Sequence, residues 1–204
     1  MIIKILLILI LSLTLDAEEL ITPQLIDRAQ KKYGCFAKNR FIYIRDELLK
    51  KLKNKPDLVK LNVVNTKYNK IKYASDKKIY KQNDYWATLY QFVGKNRGDC
   101  EDYTIAKYYT LKELGVDPHK MKFLYVIYKK KNGEKKSHMV LAYLTTLTPK
   151  SRTDYLILDN NNRLILPASK RPNLIKIIKM LNGDTGAKSK KWKQLEIDMK
   201  RKKL

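Results

Sequence analysis

Gly98-Asp99-Cys100-Glu101-Asp102 places a thiol among acidic side chains, directly before a run with helical periodicity. From Tyr103 onward, apolar residues recur at three- and four-residue steps as far as Leu114, and Gly115 follows where a C-cap glycine is expected. Cys100 is therefore predicted to lie in the first turn of a helix. The unpaired N–H groups and the positive end of the helix dipole at that position favour a thiolate over a thiol.

The acidic neighbours of Cys100 act in the opposite direction. Asp99, Glu101 and Asp102 disfavour another negative charge, and each raises the thiol pKa by roughly one unit or more if it is close and desolvated. A histidine that becomes imidazolium would offset these charges. A hard cation such as Ca²⁺ would also offset them, since clustered carboxylate oxygens suit it. A purely structural interpretation is that Asp99 caps the helix and the other two acids complement its dipole.

The N-terminal segment has the pattern of a secretory signal peptide. Lys4 precedes an apolar run over residues 5–11, and Ala17 stands before the acidic pair Glu18-Glu19. We expect cleavage near Ala17, so residues 1–17 are assigned as a signal peptide and the mature protein as exported. An uncleaved membrane anchor is the alternative, although the apolar run is short for a transmembrane span.

The chain is strongly basic, with 44 Lys and Arg against 20 Asp and Glu and a net charge of +24. Such a charge is typical of nucleic-acid binding. The lysines are scattered over every segment, however, and an exported protein has no genomic partner, so we expect a solvated basic surface and no nucleic-acid partner. We assign residues 18–180 to one domain and residues 181–204 to a basic tail.

Within that tail, Trp192, Leu195 and Met199 stand at helical spacing. The tail could therefore lie on an anionic membrane surface through an amphipathic helix. We favour a frayed or loosely docked terminal helix.

Helix signals precede the pentapeptide and strand signals follow it. The first predicted helix begins at Thr22-Pro23 and ends at Gly34. The second covers residues 40–53 and the third residues 56–68, and a short fourth helix ends by Gly94. The predicted strands cover residues 123–128, 137–144, 155–158 and 163–166, and Asn132-Gly133 is a hairpin signal between the first two. Helices followed by an antiparallel sheet indicate an α+β domain.

The choice of catalytic base is limited because the chain has two histidines. His119 follows a proline in a loop and is predicted to be exposed, whereas His138 interrupts an apolar strand and Asp159 ends the next one. A cysteine at a helix N-terminus, followed by a strand histidine and an aspartate on the strand after it, has the order of a papain-like or transglutaminase-like triad. In such a triad Cys100 attacks a carbonyl, His138 transfers the proton and Asp159 orients the ring. Each residue alone has a structural explanation, and their conjunction favours catalysis.

Two further features affect this hypothesis. Cys35 is the other cysteine, and in an oxidising compartment a Cys35–Cys100 disulfide would remove the nucleophile. We favour a free Cys100 because it has a catalytic context, whereas Cys35 follows Gly34 in a plain helix-to-helix connection. The Cys100 backbone N–H is the natural first oxyanion donor, and Trp86 or Gln91 is a candidate for the second, although Trp86 could equally belong to the core.

Together these motifs resemble the bacterial transglutaminase-like cysteine proteinases, a family that includes periplasmic proteases releasing large biofilm adhesins. The resemblance covers about residues 28–174, whereas residues after 174 show no counterpart and Leu89 stands where other members carry proline. The segments that carry it are Val64-Asn65, residues 84–88, residues 98–103 with residues 105–108, Leu114-Gly115-Val116, residues 138–143, Leu158-Asp159-Asn160 and Leu166-Pro167-Ala168.

The resemblance implies a papain-like or transglutaminase-like α+β fold, in which N-terminal helices and a nucleophile at a helix N-terminus pack on an antiparallel sheet. It implies a calcium-dependent periplasmic cysteine endopeptidase. The implied site residues are Cys100, His138 and Asp159 for catalysis and Asp99, Glu101 and Asp102 for calcium. The implied substrate is the N-terminal retention segment of a giant repeat-containing adhesin, and the implied regulator is an inner-membrane cyclic di-GMP receptor whose periplasmic domain sequesters the protease. The same triad would serve a transglutaminase or acyltransferase, and a non-catalytic calcium-binding module would keep the fold without the chemistry.

Overall fold

The structure, a computed structural model, describes residues 19–182 and 189–204. The predicted signal peptide, residues 1–17, lies outside the described residues. Across the two described ranges, no helix is both long enough and apolar enough to cross a bilayer.

Helices occupy the first half of the described chain, as predicted. They are α1 Pro23–Tyr33, α2 Cys35–Tyr43, α3 Asp57–Tyr68, α4 Asp76–Tyr80 and α5 Leu89–Lys95. The start of α1 is as predicted, because the Thr22 side chain accepts a hydrogen bond from the Leu25 N–H and Pro23 occupies the first turn. The second helix begins at Cys35 rather than at residue 40, since Gly34, at φ 85°, ends α1 and immediately precedes α2. It continues as a π-helix over Ile44–Lys50.

Within the described ranges, seven strands follow or interleave with these helices. Two short ones, β1 Lys72–Tyr73 and β2 Arg97–Gly98, form a parallel pair. The others, β3 Met121–Lys129, β4 Lys135–Leu144, β5 Tyr155–Asp159, β6 Asn162–Pro167 and β7 Leu174–Asn182, form one sheet. Its order is β6-β5-β4-β3-β7 and every neighbouring pair is antiparallel. The four predicted strands are present, and β7 is an addition at the sheet edge.

The central helix α6, Cys100–Glu113, carries the pentapeptide at its start, as predicted. It packs on α3 and α5 on one side and on β4 on the other. Gly115 follows at φ 82°, the left-handed conformation that glycine adopts most readily at a helix end. Because α6 is enclosed by helices and sheet, its N-terminus is fixed against the strand that carries His138.

The C-terminal helix α7, Lys190–Lys200, corrects the expectation of a frayed or loosely docked helix. Trp192, Leu195 and Met199 are all buried in the main core. The Trp192 ring centroid lies 5.0 Å from that of Phe123 on β3 and 6.0 Å from that of Tyr108 on α6. The apolar face of α7 is therefore occupied by the protein's own core.

Candidate active site

Cys100 is the first residue of α6, and its side chain lies against β4. The residue is 9% exposed, and its Sγ donates a hydrogen bond to Glu101 Oε2 at 2.8 Å. The Met139 backbone N–H also faces the sulfur. Thr104 Oγ1 joins the helix to the strand, since it donates to the carbonyls of Cys100 at 2.8 Å and Met139 at 3.4 Å. These contacts place the thiol beside the residue that follows His138.

His138 and Asp159 form a buried pair across neighbouring strands. The His138 Nε2 lies 2.8 Å from Asp159 Oδ1, and both residues are almost fully buried. Because Nε2 faces the carboxylate, Nδ1 is the ring nitrogen left to exchange a proton with a thiol. Burial alone would raise the pKa of Asp159, but hydrogen bonds from His138, the Asn161 N–H and Arg171 hold that pKa well below its usual range. The carboxylate therefore stays ionised and able to orient the ring.

Polar groups that no sequence motif marks hold this pair in place. Arg171 Nη2 donates to Asp159 Oδ2 at 2.5 Å, and the Asn161 backbone N–H donates to Asp159 Oδ1 at 2.9 Å. On α3, the Asn69 side chain donates to the Asp159 carbonyl at 2.8 Å and to the Asn162 carbonyl at 3.0 Å. The turn that presents Asp159 is thus fixed from both sides.

Lys107 on α6 supports the same turn through Asn65. Its Nζ donates to Asn65 Oδ1 at 2.7 Å, and Asn65 Nδ2 donates to the carbonyls of Asn162 and Arg163 at 3.3 and 3.1 Å. Burial lowers the pKa of Lys107 to about 7, although the charge of Asp159 acts in the opposite direction. Val64-Asn65 carried part of the family resemblance, and the structure gives Asn65 a physical role.

An acidic cluster, made of Asp76, Asp99, Glu101 and Asp102, surrounds the thiol. One oxygen each from Asp76, Asp99 and Asp102 lie within 4.8 Å of one another, and so do single ligand atoms of Asp99, Cys100 and Glu101. Asp76 at the start of α4 is an addition to the predicted set. No sequence signal marked it, because it precedes the pentapeptide by more than twenty residues and lies in a stretch whose structure was ambiguous.

The electrostatic conflict expected from the sequence is present in this cluster. Burial and the neighbouring Glu101 charge raise the pKa of the Cys100 thiol well above its usual range. Burial and the charges of Glu101 and Asp102 raise the pKa of Asp99 to about 9, and burial raises those of Asp76 and Asp102. A cation bound at this position would lower the pKa of each of these groups, because it stabilises their negatively charged forms.

The acidic cluster fits a hard divalent cation. Asp76 Oδ1 and Asp99 Oδ1 are buried and have no hydrogen-bond partner among the described residues. Carboxylate oxygens of this kind suit Ca²⁺. Asp102 differs, because its oxygens already accept hydrogen bonds from the backbone N–H groups of Ala87 at 3.0 Å and Asp99 at 3.3 Å. Asp76, Asp99 and Glu101 are the stronger candidates, and Asp102 as a ligand stays a prediction.

The two candidate oxyanion donors have different surroundings. Gln91 caps α5, and its Oε1 accepts hydrogen bonds from the Thr88 N–H and the Tyr85 hydroxyl, each at 3.1 Å. Trp86 Nε1 is buried with no hydrogen-bond partner in the described part of the chain, and its ring packs at 6.3 Å from that of Trp192. The Gln91 donor Nε2 is used by the Tyr85 hydroxyl at 3.0 Å, whereas Trp86 Nε1 has no partner among the described residues, so the structure favours Trp86 over Gln91.

The second cysteine and the second histidine both lie at exposed positions. Cys35 and Cys100 are both free, with Cys35 exposed on α2 and Cys100 buried. His119 is exposed, as predicted, in the connection before β3. His138 is therefore the histidine on the strand that faces the thiol, next to Met139.

Comparison with known proteins decides which family has this arrangement. The family model described as bacterial transglutaminase-like cysteine proteinase (BTLCP) matches residues 37–199. This chain belongs to that family. The match continues well past residue 174, so the expectation that residues after 174 have no family counterpart was wrong. A comparison with curated proteins gives no match.

Solved structures of one member of the transglutaminase-like cysteine proteinases resemble the chain over most of its length. LapG of Legionella pneumophila is 33% identical over 87% of this chain and 95% of its own, with a TM-score of 0.69. Its EGTA-treated form is 30% identical over 86% and 96%, with a TM-score of 0.72. Its calcium-bound form is 29% identical over 85% and 98%, with a TM-score of 0.67. The predicted α+β transglutaminase-like fold and the cysteine protease assignment are confirmed.

Proposed function

We propose that this cysteine protease is calcium-dependent, is exported to the periplasm, and cleaves the N-terminal region of a large surface adhesin. In this proposal, cleavage releases the adhesin and ends biofilm attachment. An inner-membrane cyclic di-GMP receptor controls the protease by binding it through a periplasmic domain.

The observation that supports the chemistry best is the placement of three groups around one helix N-terminus. Cys100 begins α6 beside Met139, and the adjacent His138 is held by Asp159 at 2.8 Å. A thiol, an imidazole and a buried carboxylate in this order can activate a nucleophile and return a proton. Because the chain belongs to a proteinase family, peptide-bond hydrolysis is favoured over acyl transfer to an amine.

The reaction follows from these positions. His138 takes the thiol proton, and the Cys100 sulfur attacks the scissile carbonyl carbon. The carbonyl electron pair collapses, the carbon–nitrogen bond breaks, and His138 gives its proton to the leaving amine, so that a thioester remains on Cys100. Water, deprotonated by His138, then attacks the thioester, and the sulfur leaves and recovers the proton. Asp159 stays ionised throughout and stabilises the imidazolium.

The calcium part of the proposal rests on the acidic cluster. Asp76, Asp99 and Glu101 would hold the ion, and its charge would offset the carboxylates that raise the thiol pKa. The Cys100 thiol now donates to Glu101, so a Glu101 side chain committed to a cation would no longer compete with His138 for the thiol proton. The calcium-bound and EGTA-treated LapG structures are consistent with a calcium site in this family.

The substrate, the regulator and the location follow from the family resemblance and the N-terminal sequence. Export is supported by the positive start and apolar run of residues 1–17. The adhesin and the receptor are the partners that the resemblance implies. No nucleotide-binding motif was found in the sequence, so the receptor would sense cyclic di-GMP.

The proposal is tested by incubating an N-terminal fragment of the large adhesin from the same genome with the native protein or the Cys100→Ala variant. Each reaction is run with calcium and with a chelator. We expect cleavage by the native protein with calcium, and none by the variant or in the chelator. Cleavage by Cys100→Ala, or equal cleavage with and without calcium, would contradict the proposal. Ammonia release without cleavage would instead indicate a transglutaminase.

A further inference from the structure

Asp159 is held by a buried arginine that no sequence motif marks. Arg171 is 3% exposed, and its Nη2 donates to Asp159 Oδ2 at 2.5 Å. The other carboxylate oxygen, Oδ1, faces His138 Nε2 at 2.8 Å. The carboxylate therefore lies between a permanent cation and the imidazole that exchanges the proton.

The segment between β6 and β7 fixes the direction of the guanidinium. The Arg171 backbone N–H donates to the Ala168 carbonyl at 3.2 Å, and the Arg171 carbonyl accepts from the Leu174 N–H at 3.0 Å. Arg171 Nε also donates to Asn173 Oδ1 at 3.3 Å. A planar guanidinium anchored at its backbone and at two nitrogens has little freedom to rotate.

We propose that Arg171 is a positioning residue for the catalytic pair. It fixes the plane of the Asp159 carboxylate so that Oδ1 stays directed at His138 Nε2, and it takes up part of the carboxylate charge. Arg171 contacts neither the thiol nor the substrate in this account, and it acts through Asp159. The inference rests on the cysteine protease chemistry and is independent of which protein is cleaved.

Two consequences follow if Arg171 is removed. The Asp159 carboxylate gains freedom to turn away from His138, which lowers the fraction of productive orientations. Its whole charge also acts on His138, which stabilises the imidazolium. Tyr128 on β3 contacts this histidine, with ring centroids 5.3 Å apart, and the Cys100 thiol on α6 faces the backbone N–H of the next residue, Met139. Lys107 on α6 is a second buried basic group whose charge interacts with that of Asp159.

Arg152, in the connection between β4 and β5, offers a matched control because it holds the same segment from outside. Its Nη2 donates to the carbonyls of Ala168 at 2.9 Å and Leu174 at 3.3 Å. Arg152→Gln therefore loosens the segment that carries Arg171 without removing the charge at Asp159. Arg171→Gln removes that charge, and Arg171→Lys keeps a charge but loses the planar fork.

The experiment uses the calcium-saturated full chain and two readouts. The first is the imidazole NMR titration of His138, which needs no substrate and is simple because the chain has two histidines, with the exposed His119 as internal reference. The second is the separation of kcat from KM.

For Arg171→Gln we expect the His138 midpoint to rise by about one pH unit. We also expect kcat to fall roughly 10- to 100-fold at unchanged KM. Arg171→Lys should restore the midpoint and part of kcat, and Arg152→Gln should behave as the native protein.

An unchanged midpoint and kcat in Arg171→Gln would overturn the inference. So would an equal loss in Arg152→Gln, because the segment and not the charge would then be responsible. Should Arg171→Gln fail to fold, Arg171→Lys decides: a lowered kcat at the native midpoint supports the role, and a native kcat overturns it. A native protein that cleaves no adhesin would refute the proposed substrate while the His138 titration still tests Arg171.

Discussion

Replacing Asp159 by asparagine should disable the catalytic pair and also destabilise the fold. Asp159 accepts hydrogen bonds from His138 and the Asn161 N–H at Oδ1 and from Arg171 at Oδ2. Asparagine has one acceptor oxygen, so its NH₂ group must face either Arg171 or the His138 side. Facing Arg171, it sets two donors against each other. Facing His138, it forces Nε2 to become the acceptor and places the ring proton on Nδ1, where the base must be free.

The size of both effects follows from burial. Asp159 is 1% exposed and Arg171 is 3% exposed, so the substitution leaves a buried guanidinium without its counter-charge. Breaking one partner of a buried ion pair costs about 3 kcal/mol or more in the free energy of unfolding. Loss of the oriented base should lower kcat/KM roughly 10²- to 10⁴-fold.

The pH dependence supplies a second test of the same carboxylate. The pKa of Asp159 is lowered in the folded protein, so its contribution to stability is present above the unfolded-state pKa and is lost as pH falls through the folded-state value. The difference in unfolding free energy between the native protein and Asp159→Asn should therefore be largest near about pH 7 and shrink below about pH 4.

Urea unfolding at several pH values and initial rates on one peptide substrate provide the measurements. Asp27→Asn on the exposed face of α1 is the matched control, and it should behave as the native protein. An Asp159→Asn variant with native stability and native kcat/KM would refute the assignment of Asp159 to the catalytic pair.

Other substitutions test the remaining parts of the site and core. Trp86→Phe keeps an aromatic ring but removes the buried Nε1, which has no hydrogen-bond partner in the described part of the chain, and kcat should fall roughly 100-fold if that N–H is the second oxyanion donor; a native kcat would exclude it. Glu101→Gln should weaken calcium binding in isothermal titration and lower activity through that loss, whereas Glu134→Gln in the exposed hairpin should do neither; inactivity at unchanged calcium affinity would refute the metal assignment. Trp192→Ala should lower the free energy of unfolding by about 3–5 kcal/mol, because this ring is buried in the main core; an effect below about 1 kcal/mol in urea unfolding would mean that α7 is not part of that core.

The triad could be predicted because residue types and their order along the chain are enough to indicate its chemistry. A cysteine after an N-cap acid, a histidine in an apolar strand and an aspartate at the end of the next strand need no knowledge of distances. The start of α6 followed from the Asp99 cap and the helical periodicity behind it. The conflict between thiol and acids was also visible, since these residues are adjacent in sequence.

The supporting groups could not be predicted, because they reach the site through tertiary contacts. Asp76 joins the acidic cluster from another helix, and Arg171 is one of 44 basic residues with nothing local to distinguish it. The strand β7 was missed because Lys176 and Lys179 interrupt its apolar residues and two register shifts break the alternation.

The C-terminal helix was misjudged for a related reason. The apolar spacing of Trp192, Leu195 and Met199 was recognised, but the density of lysines around it suggested a solvated tail. The lysines within α7 are exposed, while the apolar stripe completes the core beside Phe123. Composition described the surface of this segment and periodicity described its buried face.

The most direct test of the central claim is to trap the acyl-enzyme and locate it by mass spectrometry. The native protein with calcium is mixed with substrate and quenched in acid. We predict a thioester on Cys100 and none on Cys35, the other free cysteine, which is exposed. Two results would contradict the assignment of this thiol as the nucleophile. One is substrate cleavage without any adduct on Cys100, and the other is continued turnover by the Cys100→Ala variant.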